Sequence, residues 1–316
     1  MKKITLLDTS ICTENIGDKI IMDSVNKEVK EIFQDSFYVR VPTHDIIGKP
    51  SYEHMNTSDA VIACGTNLLS SNMNKYNQWK IGVKDAKYVN NVTLFGVGWW
   101  QYQEKPNGYT ARLLRKVLSD KNLHSVRDNY TKEMLNSIGI ENVITTACPT
   151  MWRLDPEHCA QVPKTKGKSV LVTLTDYNKV PEKDGEMLEI LKKNYDKVYF
   201  WIQAWEDYEY VRSITDELSI EFVSPTLDAL DSILSKNEEI DYVGTRLHAG
   251  IRALQHKRRT IIIGIDNRAL EKSKDFNLTV VDRKDIADLE GKINSEFTTT
   301  INIPLENINK WKKQFN

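Results

Sequence analysis

The sequence predicts an α/β protein built as two successive open-sheet domains. Three observations lead there. Short apolar runs alternate with longer amphipathic stretches along the chain, the pattern of strands and helices in an α/β protein. The alternation breaks once, between about Pro149 and Lys168 in a segment ending QVPKTKGK, and then restarts. The chain of 316 residues also exceeds what one hydrophobic core usually organises, which favours two domains of roughly 150 residues.

Lys3–Leu7 is the expected first strand, followed by a turn reaching Gly17. A helix from about Asp18 to Phe33 comes next, because Ile20, Ile21, Val25, Val29 and Ile32 recur at the spacing of one buried face. Phe37–Val41, Ala60–Ala63, Val92–Val97 and His124–Val126 are further strands. Tyr109–Leu118 and Asn129–Ile138 are helices, the second closed by Gly139. After the break, strands are expected at Ser169–Thr173, Lys197–Ile202, Glu221–Val223, Tyr242–Val243 and Thr260–Ile265. Helices are expected at Pro181–Asn194, Tyr208–Leu218, Thr226–Lys236 and Leu247–Gln255. The break divides the chain into domains 1–160 and 161–316, with a terminal helix at about 305–315 in the second. Two open α/β sheets place a ligand site outside the carboxyl ends of their strands.

Composition narrows the function. Hydrophobic residues are 40% and charged residues 28%, as in an ordinary soluble globular protein. The net charge of −1, from 43 basic and 44 acidic residues, speaks against nucleic-acid binding and against a polybasic membrane-binding role, and leaves room only for a local basic cleft. The N-terminus lacks the pattern of a signal peptide, and no apolar stretch approaches the roughly 18 residues of a transmembrane helix. Cys12, Cys64, Cys148 and Cys159 show no metal-ligand spacing, so they read as reduced thiols of a cytoplasmic protein and no metal site is expected.

Chemistry concentrates at strand ends. In Asp241–Ala253 an apolar strand runs into Gly244 and Thr245, and Arg246, Leu247 and His248 open a helix. Such a turn offers unpaired N–H groups and a positive dipole end to an anion. Arg246 adds a planar cation suited to phosphate or carboxylate, and His248 a group that exchanges protons near neutral pH. The bland alternative, a bridging Arg246 and a polar contact from His248, carries equal weight for this segment alone. In His124–Tyr130, Asp128 or Asn129 caps a helix and Arg127 is left to point at a ligand, unless it forms an ordinary ion pair.

Asn15, Gly17 and Asp18 form a turn-and-cap segment without the glycine pattern of a dinucleotide site or the lysine of a P-loop. Gly65 and Thr66 follow another strand, and Trp99 and Trp100 follow Gly98. A tryptophan there either stacks on a sugar or, more commonly, fills the core. Arg268, after the strand Ile261–Ile265, is a further anion ligand or a solvated loop residue.

In order, these segments read Asn-x-Gly-Asp, Gly-Thr-x-Leu-Leu, Gly-x-Gly, Ser-Val-Arg-Asp, Leu-x-x-x-Gly-Ile and Gly-Thr-Arg-Leu-His-Ala. This succession, over roughly residues 4 to 278, resembles the polysaccharide pyruvyl transferase family. The resemblance implies two Rossmann-like domains in a glycosyltransferase-B-like architecture with the active site between them. It implies phosphoenolpyruvate as donor substrate, no cofactor, and a sugar acceptor on a lipid-linked glycan of a surface or cell-wall polysaccharide. It places the enzyme in the cytoplasm or peripherally at the inner face of the membrane, with the acceptor on the first domain and the donor on the second.

By position, the family's mid-chain arginine falls on Arg127, its Arg-Leu-His on Arg246, Leu247 and His248, and its later basic residue on Arg268. Arg127 and His248 are then the catalytic pair, Gly244, Thr245, Arg246, Leu247 and Arg268 bind the donor, and Asn15, Gly17, Asp18, Gly65, Thr66 and Trp99 line the acceptor side. Ala63-Cys64-Gly65 stands where relatives carry a Gly-Gly-Gly turn, and Cys148-Pro149 where they carry Asp-Pro. These departures admit two other readings, a nucleotide-sugar-dependent glycosyltransferase of the same fold and an inactive glycan-binding relative.

Overall fold

The structure is a computed structural model describing residues 1–215 and 219–315. The chain forms two compact units, one of Met1–Thr13, Ile21–Trp152 and Ile303–Asn316, the other of Glu14–Ile20 and Arg153–Asn302.

In the first unit, β1 (Lys3–Asp8), β2 (Phe37–Pro42), β3 (Ala60–Cys64) and β4 (Val92–Phe95) form a parallel sheet of order β2-β1-β3-β4. A second parallel pair, β5 (His124–Val126) and β6 (Val143–Thr145), continues from it. The Gly96 N–H donates to the Ser125 carbonyl at 2.9 Å, and Val97 bridges Val126. Successive strand residues serve opposite faces. Ile4, Leu6, Ile62 and Phe95 pack with Ile21, Val25 and Val29 of α1 (Ile16–Ile32). Leu7, Val61, Ala63 and Leu94 pack with Met55 of α2 (Lys49–Asn56), with Leu113, Leu114 and Val117 of α3 (Gly108–Val117), and with Leu135 of α4 (Asn129–Asn136). Burial on both faces is why these strands read as nearly unbroken apolar runs.

The terminal helix α12 (Leu305–Lys313) belongs to this first unit, not to the second as its sequence position suggests. Its apolar face finds its partners there. Trp311 stacks on Phe95 at 4.5 Å, and Phe315 lies 5.0 Å from Phe33. The Gln314 side chain exchanges hydrogen bonds with both backbone groups of Leu123. The division between units also falls after Trp152 rather than at 160. Most of the expected linker is ordered, with a 3₁₀ turn at Pro149–Met151 and a short helix α5 (Pro156–Ala160) capped by Asp155.

His124 makes this unit sensitive to acid. Its Nδ1 accepts from the Leu94 N–H at 3.2 Å, and its Nε2 faces the Ser119 carbonyl at 2.8 Å. Only the neutral Nε2–H tautomer satisfies both, and burial pushes the imidazole down to about 4 from 6.5. A depressed folded pKa stabilises the fold above the unfolded value, and this is lost as pH falls. Between pH 6.5 and 4 the unit should lose about 3 kcal/mol. Thermal melts of the wild type and His124→Asn across that range test this: the variant, though less stable, should lack that component of the slope. Parallel curves would assign the acid sensitivity elsewhere.

The second unit is one parallel sheet of order β12-β11-β10-β7-β8-β9, made by β7 (Ser169–Thr173), β8 (Lys197–Trp201), β9 (Glu221–Val223), β10 (Ile240–Gly244), β11 (Thr260–Gly264) and β12 (Val280–Asp282). Two halves diverge from β7, the doubly wound order of a Rossmann-type domain, so the topological switch lies between β7 and β10. Helices α6 (Pro181–Asn194), α7 (Trp205–Ile214), α8 (Leu227–Lys236), α9 (Leu247–Gln255), α10 (Asn267–Phe276) and α11 (Leu289–Asn294) cover it. Of the expected helix Tyr208–Leu218, residues 216–218 lie outside the described residues. Helix α10 has no counterpart among the expected helices: its mostly polar run NRALEKSKDF buries Ala269 and Phe276 and is capped by Asp266.

Candidate active site

In the first unit the order β2-β1-β3-β4 changes direction between β1 and β3, and the loops there are strained. Gly65 and Thr66 both take left-handed backbone, at φ 62° and 52°. For the β-branched Thr66 that conformation costs on the order of 1–3 kcal/mol. It is held by the Gly98 N–H, which donates to the Thr66 carbonyl at 2.8 Å, and by the Gly65 N–H, which donates to the Phe95 carbonyl at 2.8 Å.

The same Gly98 makes room for Arg127. A Cβ on Gly98 would stand 2.0 Å from the Arg127 Nε, so the guanidinium lies directly on the glycine backbone. Arg127 is only 2% exposed. Its Nε donates to Asp128 Oδ2 at 2.9 Å and its Nη2 to the Trp99 carbonyl at 3.2 Å, while Nη1 has no partner among the described residues. Asp128 is itself fixed as the cap of α4, accepting from the Thr131 N–H at 2.8 Å and the Thr131 hydroxyl at 2.5 Å. Gly98→Ala should therefore displace Arg127. Its effect on turnover should match that of Arg127→Ala, and equal activity of Gly98→Ala and the wild type would refute the dependence.

In the second unit the carboxyl ends of β7 and β10 meet at the switch point. The Thr175 and Thr245 hydroxyls lie 2.8 Å apart, and the Arg246 N–H donates to the Thr173 hydroxyl at 3.3 Å. Gly244 is required here, since a Cβ would sit 2.5 Å from the Thr173 hydroxyl. Arg246 is 5% exposed. Its Nε donates to Asp207 Oδ2 at 2.9 Å and to the Leu174 carbonyl at 3.2 Å; its Nη2 bridges Asp207 and Asp176. Again Nη1 has no hydrogen-bond partner among the described residues. Burial pushes the Asp207 carboxyl up to about 6, although Arg246 pulls it down. Helix α9 then starts with no side-chain cap, so its first N–H groups carry the positive end of the helix dipole. His248, 8% exposed, is the second residue of that helix.

The two units thus repeat one device. Each buries an arginine at the carboxyl end of a sheet, engages it with carboxylate, Asp128 on Arg127 and both Asp207 and Asp176 on Arg246, and leaves Nη1 without a hydrogen-bond partner among the described residues. The profile of the family described as polysaccharide pyruvyl transferase matches residues 15–267, most of the chain. The chain belongs to the polysaccharide pyruvyl transferase family. Membership makes it a polysaccharide-modifying transferase.

A search of curated protein sequences found no match. Among solved structures, the UDP-N-acetylglucosamine 2-epimerase from Rickettsia bellii is similar, with a TM-score of 0.54 at 11% identity over 99% of this chain and 94% of that one. Another UDP-N-acetylglucosamine 2-epimerase gives 0.51 at 11% identity, over 99% and 90%. These likenesses establish the fold, a glycosyltransferase-B-like α/β architecture with parallel sheets.

The remaining expected residues of this pyruvyl transferase family member fall in different places. Asn15, Gly17 and Asp18 start α1 and group with the second unit. The Asn15 Oδ1 accepts from the Gly17 N–H at 3.0 Å and from Gln203 Nε2 at 2.7 Å, and its Nδ2 donates to Asp18 at 3.3 Å. Arg268 is gripped by Asp266, with Nε at 2.9 Å and Nη2 at 2.5 Å from Oδ2. Leu247 is buried, so it offers its backbone and not its side chain.

Trp99 requires a correction. It has no accessible surface, and its indole N–H is taken by Ser71 and Gln103 at 3.3 and 3.1 Å, so it is core rather than a lining residue. The large ring found apolar neighbours and a polar partner for its one donor. Asp207 and Tyr177 escaped the sequence reading. Asp207 also accepts from the Ala204 N–H at 3.2 Å, which marks it as a helix-start acid; only the fold brings it to Arg246. The half-exposed Tyr177 ring lies 5.3 Å from the Arg246 guanidinium and 5.4 Å from that of Arg268.

Proposed function

We propose that the protein transfers pyruvate from phosphoenolpyruvate to a sugar of a surface or cell-wall polysaccharide precursor, forming a ketal and releasing phosphate. The observation that supports this reading is that Nη1 of each of two buried, carboxylate-clamped arginines, Arg127 and Arg246, has no hydrogen-bond partner among the described residues. A guanidinium whose other donors are engaged offers its remaining Nη1 as a positioned, charge-assisted donor to an anion, and the donor carries a carboxylate and a phosphate. Clamping on Nε fixes each guanidinium plane before the ligand arrives, so little order is lost on binding.

In this reading Arg127 is an anion ligand of the first unit. Arg246, the uncapped start of α9 with Gly244, Thr245 and the Leu247 N–H, and Arg268 are anion ligands of the second. Gly65, Thr66 and the segment Asn15–Asp18 serve the acceptor. The donor's methylene carbon gains a proton, which leaves an oxocarbenium-like centre at C2. One sugar hydroxyl attacks C2 and loses its proton, phosphate departs with the C2–O electron pair, and a second hydroxyl attacks and loses its proton. Of the two hydroxyl protons, one balances that gained by the methyl group and the other leaves with phosphate. His248 carries these protons.

Thermal stabilisation of the purified protein by phosphoenolpyruvate, measured beside a panel of nucleotide sugars, tests the donor. Phosphoenolpyruvate should raise the melting temperature, and the rise should vanish in Arg127→Ala. Stabilisation by a nucleotide sugar alone would replace the reading with a glycosyltransferase.

A further inference from the structure

We infer that the first unit carries a docking face for an anionic lipid bilayer, formed mainly by segment 65–91. The inference rests on a different observation from the proposed reaction. A parallel crossover is ordinarily helical, yet between β3 and β4 the only helical turn among the described residues is the 3₁₀ turn Asp85–Lys87. Long segments without regular structure are uncommon in compact domains and are usually functional. This one is also firmly held: Met73, Trp79, Ile81 and Val89 are buried in the unit's core.

With Met73, Trp79, Ile81 and Val89 turned inward, the exposed charged side chains of the segment share a sign. Lys75, Lys80, Lys84 and Lys87 are all exposed, against the single acid Asp85. None of the four lysines has an ion-pair partner among the described residues. Asp85 is already occupied by the Tyr52 hydroxyl at 2.6 Å and the Gly82 N–H at 2.6 Å. The charge of +3 on this segment of a chain whose net charge is −1 is local, and the exposed Asp45 beside Ile46 offsets only part of it.

Large apolar side chains stand among these lysines. Ile46 is 84% exposed, Tyr88 51% and Tyr76 42%. Tyr88 stacks on Tyr52 at 5.0 Å and Tyr76 on Trp100 at 4.0 Å, so both rings are held rather than loose. The loop of Ile46 joins the segment where the Lys80 N–H donates to the Thr43 carbonyl at 2.8 Å. Scattered exposed apolar residues are normal; their combination with an unpaired lysine row is the chemistry of a bilayer surface. Tyrosines settle at headgroup level, an aliphatic tip enters the acyl boundary, and each lysine near an anionic leaflet adds attraction. A soluble polyanion would use the lysines but gain nothing from Ile46.

Sedimentation with phosphatidylcholine vesicles, with and without phosphatidylglycerol, tests the assignment. The full chain should bind only the anionic vesicles and should be released by high salt. Charge reversal in Lys80→Glu/Lys84→Glu should weaken binding by more than about tenfold, and Ile46→Ser by several-fold, both with unchanged melting temperatures. Absence of binding to anionic vesicles, or binding indifferent to the double reversal, overturns the proposal. So does equal affinity for a soluble anionic polysaccharide with no effect of Ile46→Ser. No outcome depends on turnover, so pyruvyl transfer and membrane docking stand or fall separately.

Discussion

Turnover is expected to fall by about 10²–10⁴-fold in His248→Ala, the range of a lost general acid or base. His248 sits in the first turn of α9, where Gly244, Thr245 and Arg246 fix the entry of the chain and no side chain caps the helix. A proton carrier there is placed by backbone geometry, so its loss should leave the second unit folded. Because His248 is only 8% exposed, the alanine variant also removes packing, and His248→Asn is the companion: it keeps a polar group of similar shape but cannot titrate. Both variants should bind phosphoenolpyruvate and neither should release phosphate at the wild-type rate. The pH–rate profile of the residual activity should lose one limb. Retention of most activity by His248→Asn would remove His248 from the chemistry and leave it a structural role.

Arg246→Ala should have the largest effect on stability. Breaking a buried ion pair by removing one partner typically costs about 3–5 kcal/mol. Here the remaining carboxylate is Asp207, which has no accessible surface, while the second partner, Asp176, is partly exposed and can turn to water. Asp207 answers by holding its proton more tightly. Its folded pKa is already raised, so its contribution is present below the unfolded value near 3.8 and is lost as pH rises through about 6. Removing Arg246 raises that pKa further. The gap between wild type and variant should therefore be small in acid and widen toward neutral pH. Arg246→Met/Asp207→Asn discharges both groups and should recover most of the stability without recovering donor binding. Recovery of both would show that Arg246 only braces the turn, and a gap independent of pH would show that Asp207 does not respond to its loss.

Much of this molecule is legible without coordinates. The apolar runs that became β1, β3, β7, β10 and β11 are buried on both faces, so their hydrophobicity carries no competing signal. Gly244 and Gly98 are forced by close approach, Thr173 against one and Arg127 against the other, and such glycines stand out at strand ends. The order of these turns was enough to identify the family, and it pointed to both buried arginines.

Other features depend on which segments meet, and a linear pattern does not encode that. Helix α12 joins the first unit because Trp311 and Phe315 complete an aromatic cluster with Phe33, Phe95 and Trp152. Trp99 turned inward because its single donor found Ser71 and Gln103, residues 28 and 4 positions away. The partners of Arg246 lie 39 and 70 positions from it, at the starts of elements whose local sequence shows only cap chemistry. Short-range physics therefore set the strands, the caps and the glycine turns of this protein. The clamping of its arginines, the fate of Trp99 and the placing of α12 came from packing, because a buried charge or ring is stable only where distant residues supply its missing partners.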